Sequence, residues 1–251
     1  MERITSRTNP LMTHIRKLSS SASYRRQHGQ FVCDSPKLLH EALLWQAEIV
    51  AVVASDGVPM PELPAGVRVA VVPEDVMASV SPMKTPQGVL FTCRLPETEL
   101  PELLEGKRYM VLDGVQDPGN VGTVWRTADA FGCDGLILLP GCADPYSTKT
   151  VRSSMGAVFR SGVWTATAQQ LKTVLQRSGI PLYGAALRED TLDAREVDYS
   201  RAALAIGSEG RGLTEEMLAL CDKTIRIPMS ERCESLNAAI AAAVLLWEAY
   251  R

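Results

Sequence analysis

Apolar positions in the second half of the chain alternate between short continuous runs and longer stretches with helical spacing. The short runs predict strands at residues 109–112, 136–139, 181–186, 203–206 and 224–227. The longer stretches predict helices at residues 121–131, 148–155, 168–177, 214–221 and 236–250. This alternation is typical of an α/β domain whose parallel sheet is covered on both faces, and ligands are then expected at the carboxyl ends of the strands.

The first half mixes both kinds of element and ends in a segment rich in proline and glutamate. Helices are predicted from Asn9 to about residue 18 and after a Ser35 cap, with Pro36 in the first helical position. A polar loop is predicted at residues 19–23, and strands are predicted at residues 30–33, 49–54, 67–72 and 89–93. Residues 96–106 hold two prolines and four glutamates and are interpreted as a linker. The predicted domains are a small α/β unit at residues 1–95 and a larger one at residues 107–251.

Positive charge is concentrated at the start of the chain. The 251 residues have a formal net charge of −3, yet the first thirty hold six basic side chains and one acid, Glu2. A basic segment on an acidic body fits a protein that binds phosphate through one region. A solvated helix with spare charge explains the same pattern equally well. The candidate phosphate contacts are Arg3, Arg7, Arg16, Lys17, Arg25 and Arg26.

Composition argues against several classes of protein. The longest apolar run, residues 238–247, is half of what a membrane helix needs, and the N-terminus lacks the apolar core of a secretory signal. We therefore expect a cytoplasmic protein without membrane contact. None of the six cysteines forms a CxxC pair, and the three histidines lie far from most of them, so no metal site is expected. The cysteines are interpreted as buried thiols, with a single nucleophilic cysteine as the alternative.

Three turns in the second half carry the candidate chemistry, and the first runs from Asp113 to Arg126. A strand ends there, a Gly/Pro-rich turn follows, and a helix is predicted to start near Asn120 as its N-cap. Gly122 precedes Arg126 by four residues, so both lie on one helical face, and the guanidinium is expected over a spot without a side chain. Free helix N–H groups and an arginine suit a phosphate. The alternative is a surface arginine with a glycine at the helix start.

The second turn follows a predicted strand with glycines at Gly207, Gly210 and Gly212, and Thr214 is predicted to cap the next helix. Its GxxGxG spacing differs from the GxGxxG dinucleotide fingerprint. Glycines leave backbone groups uncovered, so this turn can hold a flat ligand, or it is simply a tight turn between strand and helix. In the third turn, Pro228 ends a strand, and Ser235 or Asn237 caps a long helix of small residues. Such faces usually pack in a core or against a subunit.

Together and in this order, the three turns resemble the SpoU/TrmH family of RNA ribose 2′-O-methyltransferases. The matching positions are Asn120, Gly122 and Arg126 in the first turn, Gly207, Glu209 and Gly212 in the second, and Ile227 to Met229 and Ser235 to Asn237 in the third. The front part is similar to the family's small RNA-binding domain, which is related to a ribosomal-protein fold. That similarity rests on residues 35–37, residues 85–88 and the basic N-terminus.

The resemblance implies a SPOUT fold whose C-terminal segment forms a deep trefoil knot, an exception to the rule that proteins are unknotted. It implies a homodimer through the knotted domain and the C-terminal helix, with the active site completed across the interface. It implies S-adenosylmethionine (AdoMet) as cofactor, held largely by backbone at Leu187, Gly207, Gly210, Ile227, Pro228, Met229 and Leu236. The catalytic residues that it implies are Asn120, Arg126, Glu209, Ser235 and Asn237.

The implied reaction is methylation of a ribose 2′-hydroxyl, which only RNA carries. Large-subunit (23S) rRNA is the first choice of substrate, because the separate N-terminal domain resembles those of rRNA-modifying members; tRNA is the alternative. Family proposals assign proton removal to the arginine. Since arginine is hard to deprotonate, our hypothesis is that Arg126 holds the target phosphate and stabilises the developing alkoxide.

One departure from the family pattern concerns Ala238 and Ala239, where Val-Ser is usual and a hydroxyl is missing. Activity is still expected, because the other motif residues remain. A non-catalytic RNA-binding or assembly factor is the second hypothesis. A nucleotide-dependent oxidoreductase is a remote third, because the glycine spacing is wrong and the downstream acid is absent.

Overall fold

The computed structural model describes residues 1–188, 190–230, 232 and 235–251. Contacts divide the chain into two units: Met1–Pro96 with Tyr146–Phe159, and Glu97–Pro145 with Arg160–Arg251. The chain therefore passes between the units at three places. The domain bounds predicted from the sequence keep residues 146–159 in the second domain, whereas their contacts lie with the first unit. Within the described ranges, no helix is long and apolar enough to cross a membrane.

The first stretch of the chain alternates strands and short helices. Its elements are β1 (Glu2–Arg3), α1 (Pro10–Ser20), α2 (Ala22–His28), β2 (Gln30–Asp34), α3 (Pro36–Leu44), β3 (Ile49–Ser55), β4 (Arg68–Val72), α4 (Glu74–Val80) and β5 (Val89–Arg94). The strands form a five-stranded mixed sheet in the order β1-β4-β3-β5-β2. Asn9 and Ser35 cap α1 and α3 through their side chains, as the sequence predicts.

One helix of this unit departs from the sequence-based prediction. The polar loop predicted at residues 19–23 is instead the junction of α1 with α2. Ser21 accepts a hydrogen bond from Tyr24 N and so caps α2, and Gly29 ends it with a φ of 59°. Small polar residues are common in loops, but serine also favours the N-cap position of helices.

The remaining strands alternate with helices, except that β9, β10 and β11 follow one another without an α-helix between them. They are β6 (Arg108–Asp113), α5 (Pro118–Ala130), β7 (Gly135–Leu138), α6 (Thr148–Ser154), β8 (Gly162–Thr165), α7 (Ala168–Ser178), β9 (Leu182–Ala185), β10 (Leu192–Asp193), β11 (Ala202–Gly207), α8 (Glu215–Leu220), β12 (Lys223–Arg226) and α9 (Ala238–Tyr250). Short 3₁₀ turns lie at Ala157–Phe159 and Ala194–Glu196. The sequence pattern missed the short strands β8 and β10.

The second unit is built on a seven-stranded sheet in the order β10-β12-β9-β11-β6-β7-β8. Every neighbouring pair in it is parallel. The predicted class, an α/β fold with a parallel sheet, is confirmed; the trefoil knot stays a prediction. A core of buried residues packs α7 and α8 against the sheet, and α5 and α9 pack against each other beside β6 and β11. All carboxyl ends lie at one edge.

The segment that was interpreted as a linker packs against this second unit. Thr98 O accepts from Thr165 N at 2.8 Å. The side chain of Leu104 is buried, and its backbone N–H donates to Ser178 Oγ at 2.8 Å. These contacts give residues 97–106 a fixed course along the unit, although the segment contains no helix or named strand.

Residues 146–159 complete the first unit. Phe31 in β2 lies with its ring centroid 5.0 Å from that of Tyr146 and 6.4 Å from that of Phe159. Arg152 in α6 donates to Asp34 at 2.7 Å, and Asp34 is buried. The segment thus covers an apolar face of the first unit's sheet with aromatic rings and holds it with an ion pair.

Candidate active site

A cleft of about 910 Å³ opens at the carboxyl ends of β9, β11 and β12. All seven residues that the sequence assigned to a cofactor lie in its wall: Leu187, Gly207, Gly210, Ile227, Pro228, Met229 and Leu236. Two residues predicted to be catalytic, Glu209 and Ser235, line it as well. The structure adds Ala185, Ala186, Ile206, Ser208, Gly212, Ile225, Arg226, Ser230, Ala238 and Ala241. Most of these residues lie at the ends of β9, β11 and β12 or just after them, whereas Ala238 and Ala241 lie in the first turn of α9.

The glycine turn after β11 forms one wall of the cleft. Ser208 N donates to Gly212 O at 3.0 Å and Gly212 N to Ser208 O at 2.8 Å, which closes a tight loop. A Cβ at Gly207 would lie 1.9 Å from the Gly212 carbonyl carbon, so this close approach requires glycine. A Cβ at Gly210 would meet no atom within 4 Å. Gly207 therefore serves the turn itself, whereas Gly210 leaves its backbone open to the cleft.

A chain of side-chain hydrogen bonds joins all three turns. Asn120 Nδ2 donates to Glu209 Oε1, and Asn237 Nδ2 donates to Asn120 Oδ1 at 3.3 Å. Asn237 Oδ1 in turn accepts from the backbone N–H groups of Ala239 and Ile240, which caps α9. The chain fixes the carboxylate of Glu209 in the cleft wall relative to two helix N-termini. Three motifs that are far apart in sequence thereby form one polar cluster.

The predicted N-cap of α5 was wrong. Asp117 is the cap, and its carboxylate accepts from Asn120 N at 3.0 Å. Pro118 occupies the first helical position, where its missing N–H costs nothing. The helix therefore starts earlier than expected, and the side chain of Asn120 is available to Glu209. For α9, where two caps were predicted, Asn237 is the one that caps.

Asp113 supports the glycine turn, and the sequence did not single it out as a site residue. It is the last residue of β6, is 4% exposed, and accepts from Thr214 N at 2.7 Å. Thr214 caps α8 as predicted. A buried carboxylate thus fixes the end of the glycine turn to the adjacent strand. In the sequence, this role is indicated by an acidic residue at the end of an apolar run.

The described thiols are poor nucleophiles. Burial raises the pKa of Cys133 to about 12 and those of Cys142 and Cys221 to about 11. A raised pKa keeps a thiol protonated at neutral pH, which argues against cysteine chemistry. The described cysteines are all buried or partly buried, as predicted: Cys33, Cys93, Cys133, Cys142 and Cys221. Cys233 lies outside the described residues.

Arg126 does not lie in the wall of this cleft. It is exposed on α5, and at about 1.5 Å per residue it stands roughly 9 Å along the helix from Asn120. Among the residues that the structure describes, its side chain makes no hydrogen bond or ion pair. Gly122, on the same helix, is buried. One chain therefore brings together four of the five predicted catalytic residues and leaves the arginine apart.

An apolar stripe on α9 faces away from the core. Ile240, Val244 and Trp247 follow the spacing of one helical face and are 52%, 40% and 54% exposed. Tyr250 extends the stripe at the C-terminus, where the Arg108 guanidinium lies 5.8 Å from the centre of its ring. Large apolar side chains that share one exposed face indicate a contact surface.

The six predicted phosphate contacts in the first unit have different surroundings. Arg3 forms two hydrogen bonds with the carboxylate of Asp56 at 2.6 and 2.7 Å, and Arg7 pairs with Asp75 at 2.8 Å. Both ion pairs are exposed, so they hold the arginines only weakly. Arg26 is exposed.

Three other cations of this segment contact neighbouring groups of the first unit. Arg25 is 4% exposed, and its guanidinium donates to Leu18 O at 2.5 Å. Arg16 donates to two backbone carbonyls, one of them Ser79 O. Lys17 lies 5.5 Å from the centre of the Tyr24 ring. Arg25 therefore serves the fold, and we leave it out of the proposed RNA contacts.

Residues 107–247 match the SpoU rRNA Methylase family, and this stretch is more than half of the chain. The chain belongs to this family. Residues 9–90 match a second family, the MRM3-like substrate binding domain. Both matches confirm the resemblance that the three turns and the front part indicate.

Relatives of known name cover almost the whole chain. The 23S rRNA (guanosine(2553)-2′-O)-methyltransferase RlmP of Bacillus subtilis is 32% identical over 98% of both chains. The crystal structure of an AdoMet-bound rRNA methyltransferase from Sinorhizobium meliloti is 31% identical, with a TM-score of 0.87 and coverage of 98% and 96%. The SpoU methyltransferase AviRb from Streptomyces viridochromogenes, in complex with AdoMet, is 26% identical, with a TM-score of 0.85 and coverage of 97% of both chains.

Within the described ranges, no group of three or more His, Cys, Asp or Glu side chains could hold a metal ion.

Proposed function

We propose that this chain transfers a methyl group from AdoMet to a ribose 2′-hydroxyl of 23S rRNA. The observation that carries the proposal is the cleft at the sheet edge, whose wall contains the glycine turn and the Glu209 carboxylate, which accepts a hydrogen bond from Asn120 as Asn120 accepts one from Asn237. The family, and relatives named as 23S rRNA 2′-O-methyltransferases, support the same activity.

The residues of the cleft fit AdoMet. A volume of about 910 Å³ lies within the usual range for small-molecule sites. Open backbone at Gly210 and apolar side chains such as Leu236 suit a flat base, and Glu209 suits a positive charge. When bound, AdoMet supplies an activated methyl group on a positively charged sulfur. The protein must then align the ribose with that methyl group and help its hydroxyl to lose a proton.

Arg126 is proposed to hold the target phosphate and to stabilise the developing alkoxide. Its exposed guanidinium lies outside the cleft of its own chain, so we propose that it acts at the site of a second copy. The exposed stripe of Ile240, Val244 and Trp247 on α9 provides a surface for that copy, and α9 packs against the helix that carries Arg126. The proposed assembly is a homodimer through α9 and the segment around it. The trefoil knot and the cytoplasmic location stay predictions.

The absence of the hydroxyl that the family usually carries at position 239 gives little support to a non-catalytic role. Ala238 lines the cleft, whereas Ala239, where serine is usual, does not. Ala239 is buried, and its N–H donates to the Asn237 cap. The substitution therefore changes the first turn of α9 and leaves the polar cluster in place.

The test combines cofactor binding with methyl transfer. Calorimetry with AdoMet should give micromolar binding, and tritium from labelled AdoMet should enter unmodified 23S rRNA transcripts at a ribose 2′-oxygen. Arg126→Ala should keep AdoMet binding and lose turnover by two or more orders of magnitude, whereas Arg177→Ala, an exposed arginine on α7, serves as the matched control.

Absence of AdoMet binding would favour the RNA-binding or assembly factor. Transfer to tRNA with none to rRNA would favour the tRNA enzyme. Full turnover in Arg126→Ala with normal RNA binding would remove the arginine from the mechanism.

A further inference from the structure

The junction of α1 with α2 carries a compact group of aromatic and basic side chains, His14, Lys17, Tyr24 and His28, which we call the α1–α2 corner. The Tyr24 and His28 ring centroids lie 4.1 Å apart at an angle of 38°. The His14 ring meets His28 edge-on at 5.2 Å. Lys17 stands 5.5 Å from the centre of the Tyr24 ring. Lys17 and His28 are exposed, and the other two are half-buried.

Hydrogen bonds hold the rings of the corner in place. The Tyr24 hydroxyl lies 3.0 Å from His14 Nδ1, and Gln30 Oε1 lies 3.4 Å from His14 Nε2. An Nε2–H that donates to Gln30 leaves Nδ1 to accept from the Tyr24 hydroxyl. Burial lowers the pKa of His14, which favours this neutral form. The exposed ring of His28 therefore stacks on a Tyr24 ring whose position is fixed.

The corner also holds an available positive charge. Of the six cations in the basic segment, Arg3 and Arg7 pair with carboxylates, Arg16 donates to carbonyls, Arg25 is buried, and Arg26 is exposed but has no ring contact with the corner among the described residues. Lys17 is exposed, and its ammonium makes no hydrogen bond or ion pair with any residue that the structure describes. Positive charge that is free to bind phosphate thus lies next to an exposed aromatic surface.

Stacked rings beside a free cation match the chemistry of single-stranded RNA. Unpaired bases stack on aromatic side chains, and phosphates pair with nearby lysines. A duplex hides its base faces, so a ring platform favours an unpaired nucleotide. A purely structural role would explain the bond between Tyr24 and His14, but it would require neither the exposed ring of His28 nor the exposed Lys17.

We propose that the α1–α2 corner binds one unpaired nucleotide of the RNA substrate, with its base stacked on the exposed ring of His28, which Tyr24 supports from behind, and a neighbouring phosphate held by Lys17. The choice of RNA as ligand rests on the proposed function. The corner lies within the residues that match a substrate binding domain. It adds a specific contact site to that general description.

The test measures binding of the full-length protein to a fluorescein-labelled twelve-nucleotide uridine RNA by anisotropy. His28→Ala should weaken binding by about 5- to 150-fold, the range found when one stacking side chain is removed. His28→Phe keeps a ring and should stay within about twofold of wild type. Lys17→Ala should lower the slope of log affinity against log salt by about 0.7. Lys107→Ala, an exposed lysine just before β6 and outside the segments that resemble the RNA-binding domain, is the matched control.

A second set of measurements separates the corner from the proposed function. If wild type binds AdoMet and methylates rRNA while His28→Ala and Lys17→Ala bind RNA as wild type does, the corner proposal is overturned. If AdoMet binding and methylation fail but both variants lose RNA affinity, the corner stands and the proposed function falls. Equal losses in His28→Ala and His28→Phe, each with a lowered Tm, would assign the ring a structural role and overturn the proposal.

Discussion

Asn237 has two roles that substitution can separate. Its Oδ1 caps α9 by accepting from Ala239 N and Ile240 N, and its Nδ2 donates to Asn120. Asn237→Asp keeps an oxygen at the cap and removes the donor. Asn237→Ala removes both. Comparison of the two variants therefore measures the contribution of the cap and that of the link to Asn120.

The expected stability changes follow from these contacts. Loss of an N-cap side chain costs about 1 kcal/mol, and one side-chain hydrogen bond contributes about 1 kcal/mol. Asn237→Ala should therefore lower the free energy of unfolding by about 2 kcal/mol, a fall in Tm of about 4–8 °C. Asn237→Asp loses only the hydrogen bond to Asn120, and its negative charge at the helix N-terminus stabilises the fold by about 0.3–1 kcal/mol. Its Tm should stay within about 2 °C of wild type.

The expected effect on activity is larger than the effect on stability. In Asn237→Asp the new carboxylate faces Asn120, whose only amide NH₂ group already donates to Glu209. One donor group would then serve two carboxylates, and Glu209 would lose its fixed position. Because misplacement of reacting groups by about 1 Å can cost about 100-fold in rate, kcat/KM for rRNA should fall by about 10- to 100-fold.

The assay pairs differential scanning calorimetry with tritium transfer to rRNA transcripts. Wild-type kcat/KM in Asn237→Asp, at wild-type Tm, would refute the role of the Glu209–Asn120–Asn237 chain. A Tm in Asn237→Asp as low as that of Asn237→Ala would refute the reasoning about the cap.

Three further predictions concern the turn, the apolar stripe and the thiols. Gly207→Ala should abolish AdoMet binding in calorimetry, because its Cβ would meet the turn backbone at 1.9 Å; wild-type affinity would contradict this. Trp247→Arg should shift the protein from dimer to monomer in sedimentation while keeping its far-UV dichroism, and an unchanged dimer would exclude the α9 stripe. Burial raises the pKa of Cys142 and Cys221 to about 11, so both thiols stay protonated well above neutral pH. A Cys233→Ser protein should therefore react with a disulfide reagent at pH 8 much more slowly when folded than when unfolded, and equal rates in the two states would contradict the raised pKa values.

Local signals in the sequence predicted most of the second unit. Apolar runs located five of its strands to within a residue or two, and cap residues such as Thr214 and Asn237 marked helix starts correctly. These signals depend on a few neighbouring residues, so they can be recognised in the sequence without knowledge of the tertiary structure. The predicted N-cap of α5 was wrong because the segment offers two cap residues, Asp117 and Asn120. Asp117 is followed directly by Pro118, which favours the first helical position, and Asp117 is the residue that caps the helix.

Long-range features could not be predicted from spacing. The seven residues assigned to the cofactor line one cleft, but that assignment came from the family resemblance. The hydrogen bond from Asn120 to Glu209 joins residues 89 positions apart, and the position of Arg126 outside the cleft depends on the course of α5. Asp113 was missed because its role, to bind Thr214 N, exists only in the folded sheet.

Because residues 146–159 belong to the first unit, that unit cannot complete its fold until they have been synthesised. Phe31 and Phe91 leave the ribosome early, but Tyr146 and Phe159, whose rings lie against them, follow much later. At about 5–20 residues per second, the roughly seventy residues from Phe91 to Phe159 take about 3–14 s to be made. During that interval the aromatic face of the first sheet is uncovered while β6 and β7 emerge. Nascent chains stalled between about 100 and 150 residues should therefore be the species that chaperones capture, and the first unit completes its fold only after the first third of the second unit, Glu97–Pro145, has been synthesised.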